Sequence, residues 1–303
     1  VGMYDMSSFG KIRVEGPDAC AFLNRVAANQ IDVEPGRIIY TQFLNTRGGI
    51  EADVTIIRHS ETEFLVTVGA VARVIVEAHL RRHLGDDRAV ITDVTAGEAI
   101  LAVMGPKARD LLTSISPDDF SNAAMPFGSV REVEVGMGLA RVHRISYVGE
   151  LGWEVCIPSD MAAHVCETLI EAGADHGLQL CGMHAMDSCR TEKAFRHFGH
   201  DITPEDHVIE AGLGFAVPKD KTGYIGADAV AAKRTNGMDQ RLVQFLLNDP
   251  EPLLYHNEPI LRDGQTVGYL CTGSYGHTLG GGGRPGLGAV QGRRCGVDPG
   301  VHL

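Results

Sequence analysis

The chain lacks a surplus of positive charge. Its 27 Lys and Arg stand against 39 Asp and Glu, a formal net charge of −12 over 303 residues. Nucleic-acid surfaces show clustered Lys and Arg, and no long basic run occurs here, so DNA and RNA drop out as first partners. No apolar run approaches the roughly 20 residues of a membrane span, and the N-terminus has neither a basic n-region nor an apolar h-region, so a soluble protein is expected. The pattern is already in mid-course at Val1, which leaves room for an upstream segment. Seven cysteines occur without a CxxC pair. An odd number at irregular spacing fits reduced thiols of the cytoplasm or mitochondrial matrix better than a disulfide framework or a zinc site. The four glycines at 280–283 neither follow the first strand of a βαβ unit nor open a helix, so a phosphate role is set aside, and hydride chemistry by this chain alone with it.

What is present is a foldable mixture: 44% hydrophobic and 22% charged residues are ordinary for a globular protein, and the length supports more than one core. Helix signals lie in GPDACAFLNRV, AVARVIVEAHLRRHLG, GPKARDLLTSI, SDMAAHVCETLIEAG and GMHAMDSCRTEKAF. In the fourth, Val165, Leu169 and Ile170 are expected on one buried face before a stop at Gly173. Strand patterns run through KIRVEG, EFLVTVG, EAILAVMG, LARVHRISYVG, GWEVCIP, QRLVQFLLND and GYLCTGSYG, several joined by short turns, which favours an α+β fold over a doubly wound sheet. After KRTNGMDQ the helical patterns stop. Two regions are therefore expected: 1–235, itself of two interleaved subdomains, and 240–303, a β-rich C-terminal domain that turns irregular after 280. The Gly- and Arg-rich end from 279 onward is expected to be disordered or an irregular loop.

Three stretches have the residues for chemistry. In IIYTQFLNTRGGIEADVTIIR, Ile50, Ala52, Val54 and Ile56 alternate with Glu51, Asp53 and Thr55. A loop of two or four residues would set Tyr40 opposite Asp53, and a phenol beside a carboxylate is an acid/base pair. The blander alternative is the polar face of a half-buried sheet. In RISYVGELGWEVCIP, Glu154 follows the single tryptophan, Trp153; its carboxylate could hold an amidine-like ring edge through two parallel hydrogen bonds, or it is a solvated strand residue. In FRHFGHDITPEDH, the residues His197, His200, Asp201, Asp206 and His207 suggest a metal, but their spacing matches no standard site and a turn around Pro204 is preferred.

In order, YDMSSFGKIRVEGPDA, YTQFLNTRGGIEADVTIIR, MGPKARDLL, SYVGELGWEV, GMHAMDSCRTEKAFRHFGHDITPEDHVIEAGLGFAV, KTGYIG and TGSYGHTLG resemble the tetrahydrofolate-binding aminomethyltransferase family of the glycine cleavage T-protein. They are most similar to the C-terminal folate half of dimethylglycine and sarcosine dehydrogenases. The resemblance implies interleaved antiparallel sheets with helices and a C-terminal β-barrel. It implies one-carbon transfer to tetrahydrofolate, with capture of the iminium carbon of dimethylglycine, sarcosine or a similar methylamine as 5,10-methylenetetrahydrofolate. By that resemblance Asp53 is the catalytic aspartate, Tyr40 lines the same site, Glu154 holds the pterin ring and Tyr147 begins the pterin-side turn. Met186 stands where T-proteins carry a folate-contacting arginine in an ARD motif. A flavin dehydrogenase half, carrying FAD, would be a separate or upstream partner. A T-protein proper, and a non-catalytic relative such as the regulatory subunit of pyruvate dehydrogenase phosphatase, remain alternatives. Retention of Tyr40 and Asp53 favours catalysis.

Overall fold

The computed structural model describes residues 1–247, 254 and 256–278, and the backbone of 288–295. In chain order the elements are β1 (Gly2–Asp5), β2 (Gly10–Glu15), α1 (Ala19–Val26), β3 (Ile38–Leu44), β4 (Ile50–Arg58), β5 (Glu63–Val68), α2 (Arg73–Leu84), β6 (Val90–Asp93) and β7 (Glu98–Met104). They continue with α3 (Ala108–Ser114), β8 (Val130–Val135), β9 (Gly138–His143), β10 (Gly152–Pro158), α4 (Ala162–Gly173), β11 (Gln179–Cys181) and α5 (Met183–Glu192). The last are α6 (Ala227–Asn236), β12 (Gln240–Leu246), β13 (Pro259–Arg262), β14 (Gln265–Tyr275) and β15 (Gly288–Cys295). Contacts divide the chain into two compact units, 1–41 with 54–183 and 42–53 with 184–303.

The first unit contains a sheet ordered β11-β1-β7-β10-β9-β8, antiparallel except where β1 meets β11. Along β10 the odd residues Trp153, Val155 and Ile157 join Leu111 and Leu112 of α3 and Val165 and Leu169 of α4 in one apolar cluster. A strand carries apolar residues on one face at every second position, and here that face is the core. Trp153 is fully buried there, with the Phe120 ring edge-on at 5.8 Å and the Arg144 guanidinium 4.6 Å over its face. On α4 Val165, Leu169 and Gly173 are the buried positions, whereas Ile170 is 41% exposed. This corrects the face expected from the pattern: i, i+4, i+8 points inward and Ile170 falls beside it. Gly173 is required by packing, because a Cβ there would lie 2.5 Å from Leu178.

A second sheet is ordered β3-β4-β5-β2-β6. The β4 alternation expected from the sequence is present: Ile50, Ala52, Val54 and Ile56 are buried, and Glu51, Asp53 and Thr55 are partly exposed. On α1, Ala19, Phe22, Leu23 and Val26 repeat at helical spacing and are buried.

In the second unit the strands 240–295 form a sheet ordered β12-β15-β14-β13. The Gly-rich end was expected to be irregular, yet 288–295 form the strand β15, which pairs β12 on one side and β14 on the other. Ladder hydrogen bonds on both edges offset the low strand preference of Gly288 and Gly292. The glycines at 280–283 lie outside the described residues.

Candidate active site

The hairpin tip 42–53 is shaped by its turn. Asn45 N–H donates to Gly49 O at 2.9 Å and Gly48 N–H to Asn45 O at 3.0 Å, while Asn45 Oδ1 accepts from Arg47 and Gly49, both at 3.0 Å. The loop is thus three residues, 46–48, closed by Gly48 at φ +81°. Gln42, fully buried on β3, donates from Nε2 to Asp53 Oδ1 at 2.8 Å. Tyr40 is half-buried in the first unit, and its carbonyl accepts from Asn29 Nδ2 at 2.9 Å.

The 197–210 segment packs around this tip within the second unit. Ile50 N–H donates to Asp206 O at 3.1 Å, and Val208 N–H donates to Gly48 O at 3.0 Å. The two aspartates of FRHFGHDITPEDH are held in structural contacts. Asp206 Oδ2 accepts from Thr203 N–H at 2.8 Å and from its hydroxyl at 2.9 Å, and the His207 ring lies against Gly48. Asp201 takes the guanidinium of Arg190, the backbone N–H of His197 at 2.9 Å and the Thr272 hydroxyl at 2.6 Å. Met186 is buried on α5, on the side that also buries Arg190 and Thr191.

In the first unit the turn between β9 and β10 carries Tyr147, half-buried. Arg144 Nη1 donates to Gly152 O at 3.3 Å across its base. Gly152 must lack a Cβ, which would come within 2.7 Å of Met104. Glu154 then emerges on β10 opposite His143 of β9. It is 6% exposed, so it is not a solvated strand residue. Its Oε2 is 3.7 Å from Nδ1 of His143, and Cys156 Sγ is 3.6 Å from the same nitrogen. Burial works against a charge on the His143 ring, but Cys156 and Glu154 outweigh it and raise its pKa to about 10. Gln42 and His143 were missed in the sequence. The signal for each is a polar residue in an otherwise apolar strand, which by itself does not tell burial from exposure.

Two family models cover most of the chain: the GCVT N-terminal domain over residues 1–221, and the glycine cleavage T-protein C-terminal barrel domain over 240–283. The chain belongs to the aminomethyltransferase family of the glycine cleavage T-protein. It is 44% identical over 281 residues to 4-methylaminobutanoate oxidase (formaldehyde-forming) of Paenarthrobacter nicotinovorans, which matches 92% of this chain and 34% of that protein. Mitochondrial sarcosine dehydrogenase of Mus musculus is 33% identical over 294 residues, 91% of this chain and 32% of the enzyme. Aminomethyltransferase of Bacillus subtilis (strain 168) is 32% identical over 281 residues, 92% of this chain and 77% of the enzyme. The chain therefore spans about a third of the first two relatives. The crystal structure of aminomethyltransferase T of the glycine cleavage system from Bartonella henselae superposes with a TM-score of 0.86 at 25% identity, covering 97% of this chain and 78% of that one. The family is one of folate-dependent one-carbon transfer enzymes and binds tetrahydrofolate. The acceptor pair of Glu154 fits such a ligand: a buried carboxylate offers two acceptors side by side to a ring edge that presents two N–H groups.

Proposed function

We propose that the chain is the tetrahydrofolate-dependent half of a methylamine-oxidising system, taking up the one-carbon unit that oxidation of an N-methyl group releases. The observation that carries this reading is the match along nine-tenths of the chain to relatives named for oxidising 4-methylaminobutanoate and sarcosine. Dimethylglycine, sarcosine and similar secondary or tertiary methylamines are the substrate class. Bound tetrahydrofolate supplies the nucleophilic nitrogens that accept the carbon. Glu154, with Tyr147 on the adjoining turn, holds the pterin ring. Asp53 is the proton acceptor and the fixed anion beside developing positive charge, a role for which Gln42 orients one carboxylate oxygen. Tyr40 lines the same chemistry, and Met186 contributes an apolar contact in place of the T-protein arginine. That replacement argues against a lipoyl-carrier substrate. A flavin dehydrogenase domain or subunit is the partner that would generate the iminium, and FAD belongs to that partner.

Calorimetry of tetrahydrofolate binding, under anaerobic conditions, tests the reading on the chain and on D53A and E154A variants. Binding is expected to be lost with Glu154→Ala and largely kept with Asp53→Ala. Absence of binding to the unaltered chain would refute the catalytic assignment. A second reading, a T-protein proper, is supported by the 77% coverage of the Bacillus subtilis aminomethyltransferase; turnover of an aminomethylated lipoyl carrier would select it.

A further inference from the structure

On the face of β10 opposite the apolar core, Glu154 and Cys156 flank His143, and all three are buried, at 6%, 2% and 0% exposure. The antiparallel register places His143 directly across from Glu154. Facing side chains at such a position are the closest neighbours a sheet provides. A carboxylate withdrawn from water this far is costly unless a cation stands beside it. The separation of 3.7 Å between Nδ1 and Oε2 is an ion-pair distance, longer than a good hydrogen bond.

The groups around the ring leave this task to His143. Arg141, two residues back on β9, is paired with Glu98 of β7. Lys11 of β2, fully buried, donates from Nζ to Ser7 O at 2.9 Å and Phe9 O at 3.0 Å. His59, after β4, is held neutral: burial first, then the charges of Arg141 and His143, lower its pKa to about 3.

We infer that His143 is a positioning residue, an imidazolium across the ladder from Glu154 that aims its carboxylate so that both oxygens can accept from the N–H edge of the bound ring. This rests on the folate reading above. Without the ring at 3.7 Å the buried carboxylate loses the partner that fixes its orientation, and one of its two charge-assisted hydrogen bonds to the ring edge is misaligned. His143 touches no substrate in this scheme; it acts through Glu154.

The test measures the tetrahydrofolate dissociation constant from pH 6 to 9 for the unaltered chain and for H143Q, E154Q and the double variant, alongside the ¹⁵N signals of the His143 ring in ligand-free protein. At pH 7.5, H143Q is expected to bind roughly ten- to a hundredfold more weakly. The double variant is expected to bind no more weakly than E154Q, and the ring nitrogens to report an imidazolium at pH 7.5. A neutral ring at that pH, or an H143Q loss that is the same size with and without Glu154, would overturn the positioning role, since a merely structural histidine behaves that way. Absence of binding by the unaltered chain would overturn the folate reading and this inference with it. Normal binding that is indifferent to H143Q overturns this inference alone.

Discussion

Arg190 is the place where the second unit is most exposed to a single substitution. Its guanidinium is 1% exposed and the facing Asp201 carboxylate 0%. Beyond Asp201 it donates to Asp187 Oδ1 from Nε at 2.7 Å, to Phe195 O at 3.1 Å and to Thr272 Oγ1 at 3.2 Å, so it ties α5 to the 195–201 segment and to β14. Replacing Arg190 with Met keeps most of the volume but leaves the Asp201 carboxylate buried without its cation. Breaking one partner of a buried pair costs about 3–5 kcal/mol. At about 2–4 °C per kcal/mol, thermal unfolding followed by calorimetry or circular dichroism should show a fall of roughly 6–20 °C. The decisive comparison is R190M/D201N. Asn removes the orphaned charge yet can still accept from His197 N–H and the Thr272 hydroxyl, so the double variant should regain about 1–2 kcal/mol relative to R190M. If R190M costs less than about 1 kcal/mol, or if adding D201N makes it worse by its full single-variant cost, the buried charge pair does not hold the unit together.

Other outcomes follow from the same geometry. Gly48→Ala forces a left-handed φ of +81° on a residue whose Cβ would overlap the His207 ring, and should cost about 1–3 kcal/mol by denaturant titration. His59 is neutral in the folded chain, with its pKa lowered to about 3 by burial and the neighbouring Arg141 and His143. The unfolded chain therefore binds the extra proton between about pH 6.5 and 3, and folded stability falls as pH drops through that window, by an order of 2–4 kcal/mol that H59Q should largely abolish in a pH series of unfolding curves. Burial lowers Lys221 to about 8, so NMR of isotopically dimethylated lysines should show the Lys221 resonance titrating near pH 8, and K221R should remove that resonance. D53N should reduce one-carbon transfer by about 10²–10⁴-fold with tetrahydrofolate affinity largely kept.

Local pattern carried much of this architecture. The alternation of Ile50, Ala52, Val54 and Ile56 against Glu51, Asp53 and Thr55 is legible because one face of β4 is buried and the other is not. The helical face of α4 was legible for the same reason, apart from Ile170, where a pattern of apolar residues does not say how wide the buried stripe is. Glu154 was legible as a candidate through its motif, but its burial was not, since that depends on β7 and β9 on either side of β10. His143 has no motif of its own; its meaning comes from the residue across the ladder. Gln42 is similar, since its partner Asp53 is reached only after a turn whose odd length came from Asn45 accepting twice from the loop backbone. The strand β15 defied its composition because two neighbours hold it, a nonlocal fact.

The division of the chain also governs how it can be made. Residues 42–53 belong with a unit whose other part begins at His184. On a ribosome moving at about 5–20 residues per second, the hairpin tip is complete for on the order of ten seconds before its own unit starts to emerge. The second unit therefore matures by closing a very long loop, a slow class of contact that leaves apolar strand surface waiting. Neither unit is one continuous stretch of gene, so no single cut yields either of them whole, and their separate contributions have to be dissected by point substitution rather than by truncation.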